Sequence, residues 1–181
     1  GLGLTSGLIG ALEDMDIVVT VFDSVQANPT IQNIEDGLKI YSRSRCEGII
    51  AFGGGSPIDC AKLIGARASN LERSAVPTTA GTGSECTLAA VVTDPENREK
   101  FSIASPHIVP LSATLDPELM LSLPPHITAH TGMDALTHAV EAYIGKIGTS
   151  YTDAQAEKAV KIIFEDLELV FKNGKDLQRR A

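Results

Sequence analysis

The chain has 181 residues, the length of one domain or of one domain and part of a second. Hydrophobic residues make up 43% and charged residues 21%, enough to bury a core and too apolar for a disordered chain. A formal net charge of -8, from 15 basic and 23 acidic residues, leaves no basic stripe and argues against nucleic acid or an anionic membrane as partner.

Residues 8–15 carry apolar side chains at helical spacing, and residues 17–22 (IVVTVF) form an unbroken β-branched run between Asp16 and Asp23, so a helix is expected to pass into a buried strand. Over residues 30–44, Ile31, Ile34, Leu38 and Tyr41 make a helical stripe with Thr30 as N-cap after Pro29. Residues 48–52 (GIIAF) predict a second strand. After the glycine turn of residues 53–56, a helix is expected over residues 58–68 with Pro57 at its first position. Further strands are expected over residues 86–93 and 111–115, with a turn at Asp94-Pro95-Glu96-Asn97. Alternating helices and apolar strands predict an α/β fold built on a parallel sheet. From Asp116 the texture changes to proline-punctuated helical patterns, through Tyr143 and again over residues 152–171. Two domains follow as the expectation: residues 1–116 α/β, and residues 117–181 the beginning of a helical domain.

Three cysteines, Cys46, Cys60 and Cys86, without CxxC spacing suit a reduced compartment better than a disulfide framework, and a cytoplasmic protein is expected. No apolar run approaches the roughly 18 residues of a membrane span, and residues 1–10 lack the basic region of a signal peptide.

Gly53-Gly54-Gly55-Ser56 lies between a predicted strand and a predicted helix, where exposed N–H groups and the helix dipole favour a phosphate; the turn reads equally as an ordinary glycine-rich connection. Asp59 either caps that helix or faces a ligand. A second polar turn, Pro77-Thr78-Thr79-Ala80-Gly81-Thr82-Gly83-Ser84-Glu85, is dense enough in hydroxyls and glycines to cradle a cofactor, or is a flexible turn ending in a Thr82-x-x-Glu85 capping box. Asp134 and His138 stand four apart on a predicted helix, on one face, as two ligands of one cation or as a surface hydrogen-bonded pair. His130 is a further four residues back, but Thr131-Gly132 predicts a helix break that turns it away. His107 and His126, each beside a proline, are expected on loops.

Four blocks in order carry a resemblance. They are Phe22-Asp23-x-Val25-x-x-Asn28-Pro29-Thr30, Gly53-Gly54-Gly55-Ser56-Pro57-Ile58-Asp59-Cys60-Ala61-Lys62, the threonine-rich turn, and Gly132-Met133-Asp134-Ala135-Leu136-Thr137-His138-Ala139-x-Glu141-Ala142-Tyr143. Together they resemble the iron-containing (group III) alcohol dehydrogenases over nearly the whole chain. The resemblance implies a dinucleotide-binding domain, a helical domain, and a divalent metal in the cleft between them. It implies that Gly54, Gly55 and Ser56, in the turn begun by Gly53, meet the pyrophosphate of NAD or NADP, and that Asn28 helps hold that cofactor. Thr78, Thr79 and Thr82 would border its phosphate and nicotinamide ribose, Lys100 would reach a ribose, and Asp59 lies in the same motif. Asp134 and His138 would be catalytic as two of four metal ligands, for iron(II) or zinc. The other two ligands, both histidines, are expected beyond Ala181, and a first strand before Gly1; residues 65–76 form a shorter connection than the family's usual one.

What this implies as a reaction is metal-assisted hydride transfer between a nicotinamide cofactor and a small primary alcohol or diol, giving an aldehyde or ketone, in a homodimer or larger assembly. Two alternatives stay open at this stage: a related metal-dependent polyol dehydrogenase or sugar-phosphate cyclase of the same architecture, and a non-catalytic nucleotide-binding module.

Overall fold

Residues 3–70 and 72–181 are described by the computed structural model. Helix α1 (Ser6–Glu13) forms where the apolar spacing places it. The run that follows does not pair. Residues 17–22 join no ladder, and Val18 is 94% exposed, although Phe22 packs against the core. The expected strand is corrected to an unpaired segment: β-branched residues favour an extended backbone, but a strand also needs a neighbour, and none of the described residues supplies one.

Helix α2 (Ile31–Arg43) starts as its sequence dictates. Thr30 Oγ1 accepts from the N–H of Asn33, and the Asn33 side chain accepts from the N–H of Thr30, a reciprocal cap with asparagine in place of the usual glutamate. Strand β1 (Ile49–Gly53) then enters helix α3 (Gly55–Arg67). That helix begins three residues before its expected start. Gly54 is the N-cap and Pro57 the third helical residue, a position at which the missing N–H is still one of those without an intrahelical acceptor. Strand β2 (Arg73–Pro77) pairs in parallel with β1, Ile49 opposite Arg73 and Gly53 opposite Pro77.

The 3-10 turn Ser84–Cys86 replaces the start of the strand expected at residue 86; the strand itself is β3 (Ala89–Asp94), which returns through the expected turn as β4 (Glu99–Ala104), antiparallel. The two-residue β5 (Ser112–Ala113) adds to β2 in parallel, so the parallel sheet runs β1-β2-β5 beside a separate β3-β4 hairpin. Helix α3 supplies most of the core from two sides, with Cys60, Leu63 and Ile64 meeting Ile34, Ala90, Val92 and Ile108 on one, and Ile58 and Ala61 meeting Ala51 and Ala75 on the other. The fold of this part is α/β with a parallel sheet.

The chain divides into two compact units, Gly1–Pro77 with Ser84–Thr114, and Thr78–Gly83 with Leu115–Ala181. In the second unit, the 3-10 turn Pro117–Met120 leads to helix α4 (Pro125–Ile144), helix α5 (Ser150–Lys172) and the short α6 (Leu177–Arg180). Thr149 caps α5 reciprocally with Thr152. Helix α4 runs through Thr131-Gly132 without interruption, which overturns the expected break. Gly132 is present for packing: a Cβ there would lie 2.3 Å from Leu167 Cδ1 on α5, so the glycine lets the two helices approach. His126 is likewise helical, and its ring meets that of His130 edge to face with centroids 6.1 Å apart. His107 sits in the 3-10 turn Pro106–Ile108, where its carbonyl accepts from the buried Arg73.

Candidate cofactor and metal sites

In the first unit the site is built at the mouth of α3. Gly53 closes β1 at φ +145°, in the region that favours glycine, and a Cβ on it would meet Pro57 Cγ at 2.8 Å. The chain can therefore turn straight from strand to helix, and the first N–H groups of α3, those of Gly55 and Ser56, have no carbonyl four residues back within the helix. Such groups, at the positive end of a 13-residue helix, are placed where an anion is favoured.

Three expected cofactor residues meet beside it. Asn28 adopts φ +57°, a left-handed conformation that asparagine tolerates. Its backbone N–H donates to Ser56 Oγ at 3.1 Å, and its side-chain Oδ1 accepts from Lys100 Nζ at 2.8 Å. Asn28 thus ties the glycine turn to the β3-β4 hairpin. A cavity of about 450 Å³ opens at this junction, lined by Asn28, Lys100, Thr30, Thr93 and Arg98 among others. Thr93 stands directly opposite Lys100 in the hairpin, and its Oγ1 is buried without a hydrogen-bond partner. Sequence reasoning missed Thr93 and Arg98. Their signal is the hairpin register, which a reading of isolated strands does not contain.

Asp59 neither caps α3 nor faces open solvent. It lies one turn inside the helix, where Oδ1 accepts from Ser84 Oγ and Oδ2 accepts from the N–H of Val91 at 3.0 Å. Beside it, the Lys62 side chain is 1% exposed, with Nζ 3.9 Å from Asp59 Oδ1. Burial pushes the Lys62 ammonium below the ordinary lysine range, against the attraction of Asp59. Cys60, between them in sequence, has its thiol pushed up to about 12, chiefly by burial and then by the Asp59 charge.

In the second unit, Thr78, Thr79 and Thr82 belong to the segment Thr78–Gly83, which leans on α4 through Gly81. A Cβ on Gly81 would lie 2.2 Å from the carbonyl oxygen of Thr131, closer than any side chain can come. On the same helix, Asp134 Oδ1 and His138 Nε2 stand 3.8 Å apart, both side chains about half exposed. An oxygen and an imidazole nitrogen on one helical face fit two positions of an iron(II) or zinc coordination shell. No group of three or more His, Cys, Asp or Glu side chains converges on one point among the described residues. Because the helix is uninterrupted, His130 is not turned away as expected: it lies one turn before Asp134 on the same helical face, with its ring against that of His126.

Comparison with known proteins follows the same division. Residues 1–117 match the family model described as iron-containing alcohol dehydrogenase, and residues 128–181 match that of the Fe-containing alcohol dehydrogenase family, C-terminal. The chain belongs to the iron-containing alcohol dehydrogenase family. Alcohol dehydrogenase 4 of Schizosaccharomyces pombe is 39% identical over 196 aligned positions, covering 99% of this chain and 46% of that protein. The aligned region is longer than this chain, so the yeast protein carries residues inside it that have no counterpart here. The structure of 1,3-propanediol oxidoreductase superposes with a TM-score of 0.94 at 40% identity, covering 98% of this chain and 51% of that one. A sulfoacetaldehyde reductase from Bifidobacterium kashiwanohense, solved in complex with NAD+, superposes with a TM-score of 0.90 at 33% identity, covering 98% and 53%. The chain spans about half the length of the relatives it matches. No helix among its described residues is long and apolar enough to cross a membrane.

Proposed function

We propose that the protein containing this chain is a cytoplasmic, NAD(P)-dependent, metal-containing alcohol dehydrogenase that interconverts a small primary alcohol or diol with its aldehyde or ketone. The observation that carries this reading is the junction of Asn28, Ser56 and Lys100 at the N-terminus of α3, where Asn28 bonds both the glycine turn and a cationic side chain and, with Lys100, lines a cavity. Gly53, Gly54, Gly55 and Ser56 would hold the pyrophosphate by their N–H groups and the helix dipole. Asn28 and Lys100, which line the cavity, would hold a ribose. Thr78, Thr79 and Thr82 would border the nicotinamide end. The NAD+ complex of the B. kashiwanohense reductase and the name of the 1,3-propanediol enzyme support the cofactor and the substrate class.

Asp134 and His138 would hold a divalent metal, iron(II) by family membership, and that ion would supply a Lewis acid for the substrate oxygen. The chain's own contribution is to place a carboxylate oxygen and an imidazole nitrogen on one face of the uninterrupted helix α4. We also propose that residues 1–116 form the dinucleotide-binding domain and residues 117–181 the beginning of the metal-binding domain. A homodimer is supported by the β4 edge, on which Phe101 and Ile103 stand exposed.

Titration calorimetry of NAD+ and NADP+ tests the cofactor assignment. Wild type is expected to bind one of them, and Gly54→Asp, which sets a carboxylate against the phosphates, is expected to abolish binding. Equal affinity in the two proteins would refute it.

A further inference from the structure

Lys62 is the largest fully buried side chain of the first unit, and it lies in the middle of an apolar helix. Its three ammonium hydrogens have three acceptors: Thr87 O at 2.9 Å, Thr87 Oγ1 at 3.0 Å and Ala89 O at 2.9 Å. Asp59, three residues earlier, takes Ser84 Oγ on one oxygen and the Val91 N–H on the other. Between them the pair grips residues 84, 87, 89 and 91, at the end of the threonine-rich turn and the start of β3. A methionine of similar length would fill the same space but would leave those carbonyls without donors. A charged pair makes directional bonds, so the segment has one register on α3 where an apolar plug would let it slide.

We propose that Asp59 and Lys62 are positioning residues for the dinucleotide: a buried clamp that fixes the end of the threonine-rich turn to the helix whose first residues cradle the phosphates. The clamp acts from behind the site. Each Asp59 oxygen accepts from one of the protein's own donors, so Asp59 serves the cofactor through Ser84 and Val91. This inference rests on the cofactor reading above.

The test is a fluorescence titration of wild type, Ser84→Ala, Asp59→Asn and Lys62→Met with NADH and NADPH, well below each melting temperature and with folding confirmed by circular dichroism. For the coenzyme that wild type prefers, Kd is expected to rise about tenfold in Asp59→Asn and Lys62→Met, and about threefold in Ser84→Ala, which removes a single hydroxyl. A purely structural role lowers the melting temperature and leaves the Kd of the folded protein alone. Kd within twofold of wild type in folded Ser84→Ala and Asp59→Asn overturns the clamp, whether or not Lys62→Met folds. A wild type that binds neither coenzyme overturns the cofactor reading and the clamp with it; binding by wild type with equal binding by the variants overturns the clamp alone.

Discussion

Gly81→Ala adds one methyl group where the structure has no room for it. The new Cβ would stand 2.2 Å from the carbonyl oxygen of Thr131 and 2.7 Å from both its carbonyl carbon and its Cβ, about 1 Å short of ordinary contact. The obstacle cannot give way easily. Thr131 lies mid-helix in α4, and its hydroxyl is itself tied to Ile127 O at 3.0 Å, so the displacement falls on the turn. Overpacking of this kind costs about 1–3 kcal/mol, and backbone as the neighbour argues for the upper half of that range. The loss of backbone freedom in the unfolded chain returns only about 0.4–1 kcal/mol. A net cost of about 2 kcal/mol lowers the melting temperature by about 4–8 °C for a chain of this size.

Because the same turn carries Thr78, Thr79 and Thr82, a shift of about 1 Å would also lower alcohol oxidation by up to about 100-fold. Gly10→Ala is the control. It lies in α1 with nothing within 4 Å of the added Cβ, and it should stabilise by about 0.5–1 kcal/mol. Thermal melts and steady-state rates of the two variants beside wild type decide the matter. A melting temperature for Gly81→Ala at or above that of wild type would show that the turn does not rest on α4 as described.

His138→Ala is expected to lose bound metal and alcohol oxidation while keeping coenzyme binding, and His130→Ala to keep its metal; full occupancy in the first, or equal loss in both, by elemental analysis, would refute the assignment of Asp134 and His138 as ligands. Cys60, with its thiol at about 12, should have about one thiolate per thousand molecules at pH 9 and resist a disulfide reagent until the protein unfolds, whereas the exposed Cys86 should react in the native state. The sign of the accompanying pH effect is fixed. A thiol pKa raised above its unfolded value of 9.0 adds stability that is fully present below pH 9 and is lost as the pH rises toward 12, so the difference in unfolding free energy between wild type and Cys60→Ala should shift against wild type above pH 9. A difference that stays constant from pH 8 to 11 would contradict the burial of that thiol.

Local chemistry made some of the fold legible. Thr30 as a cap, the strand over residues 49–53 and helix α5 needed only their own residues and a period of 3.6 or 2. Strand β2 was not legible: Arg73 and Ser74 interrupt its apolar run and Pro77 closes it, yet Arg73 is buried because the carbonyls of Asn70 and His107 receive its guanidinium. Those acceptors lie 3 and 34 residues away, and no window of sequence contains both. Residues 17–22 failed in the opposite direction, since their composition fits a strand and only the lack of a paired neighbour among the described residues denies it.

The site divides along the same line. Residue types placed Gly53–Ser56 chemistry at a helix start, and helical spacing placed Asp134 on the same face as His138, because both features are local. Gly132 shows where local rules mislead. Glycine inside a helix costs about 1 kcal/mol, which favours a break, but that cost is set against the contact with Leu167 that a side chain would forbid, and the contact prevails. Asp59 shows the same limit on the chemistry. Its position in a glycine-turn motif suggests a ligand contact, whereas its partners, Ser84 and Val91, lie 25 and 32 residues downstream. A carboxylate whose two oxygens are each held by a distant donor of its own chain fixes those donors in place, and that is a property of the folded register and not of the motif.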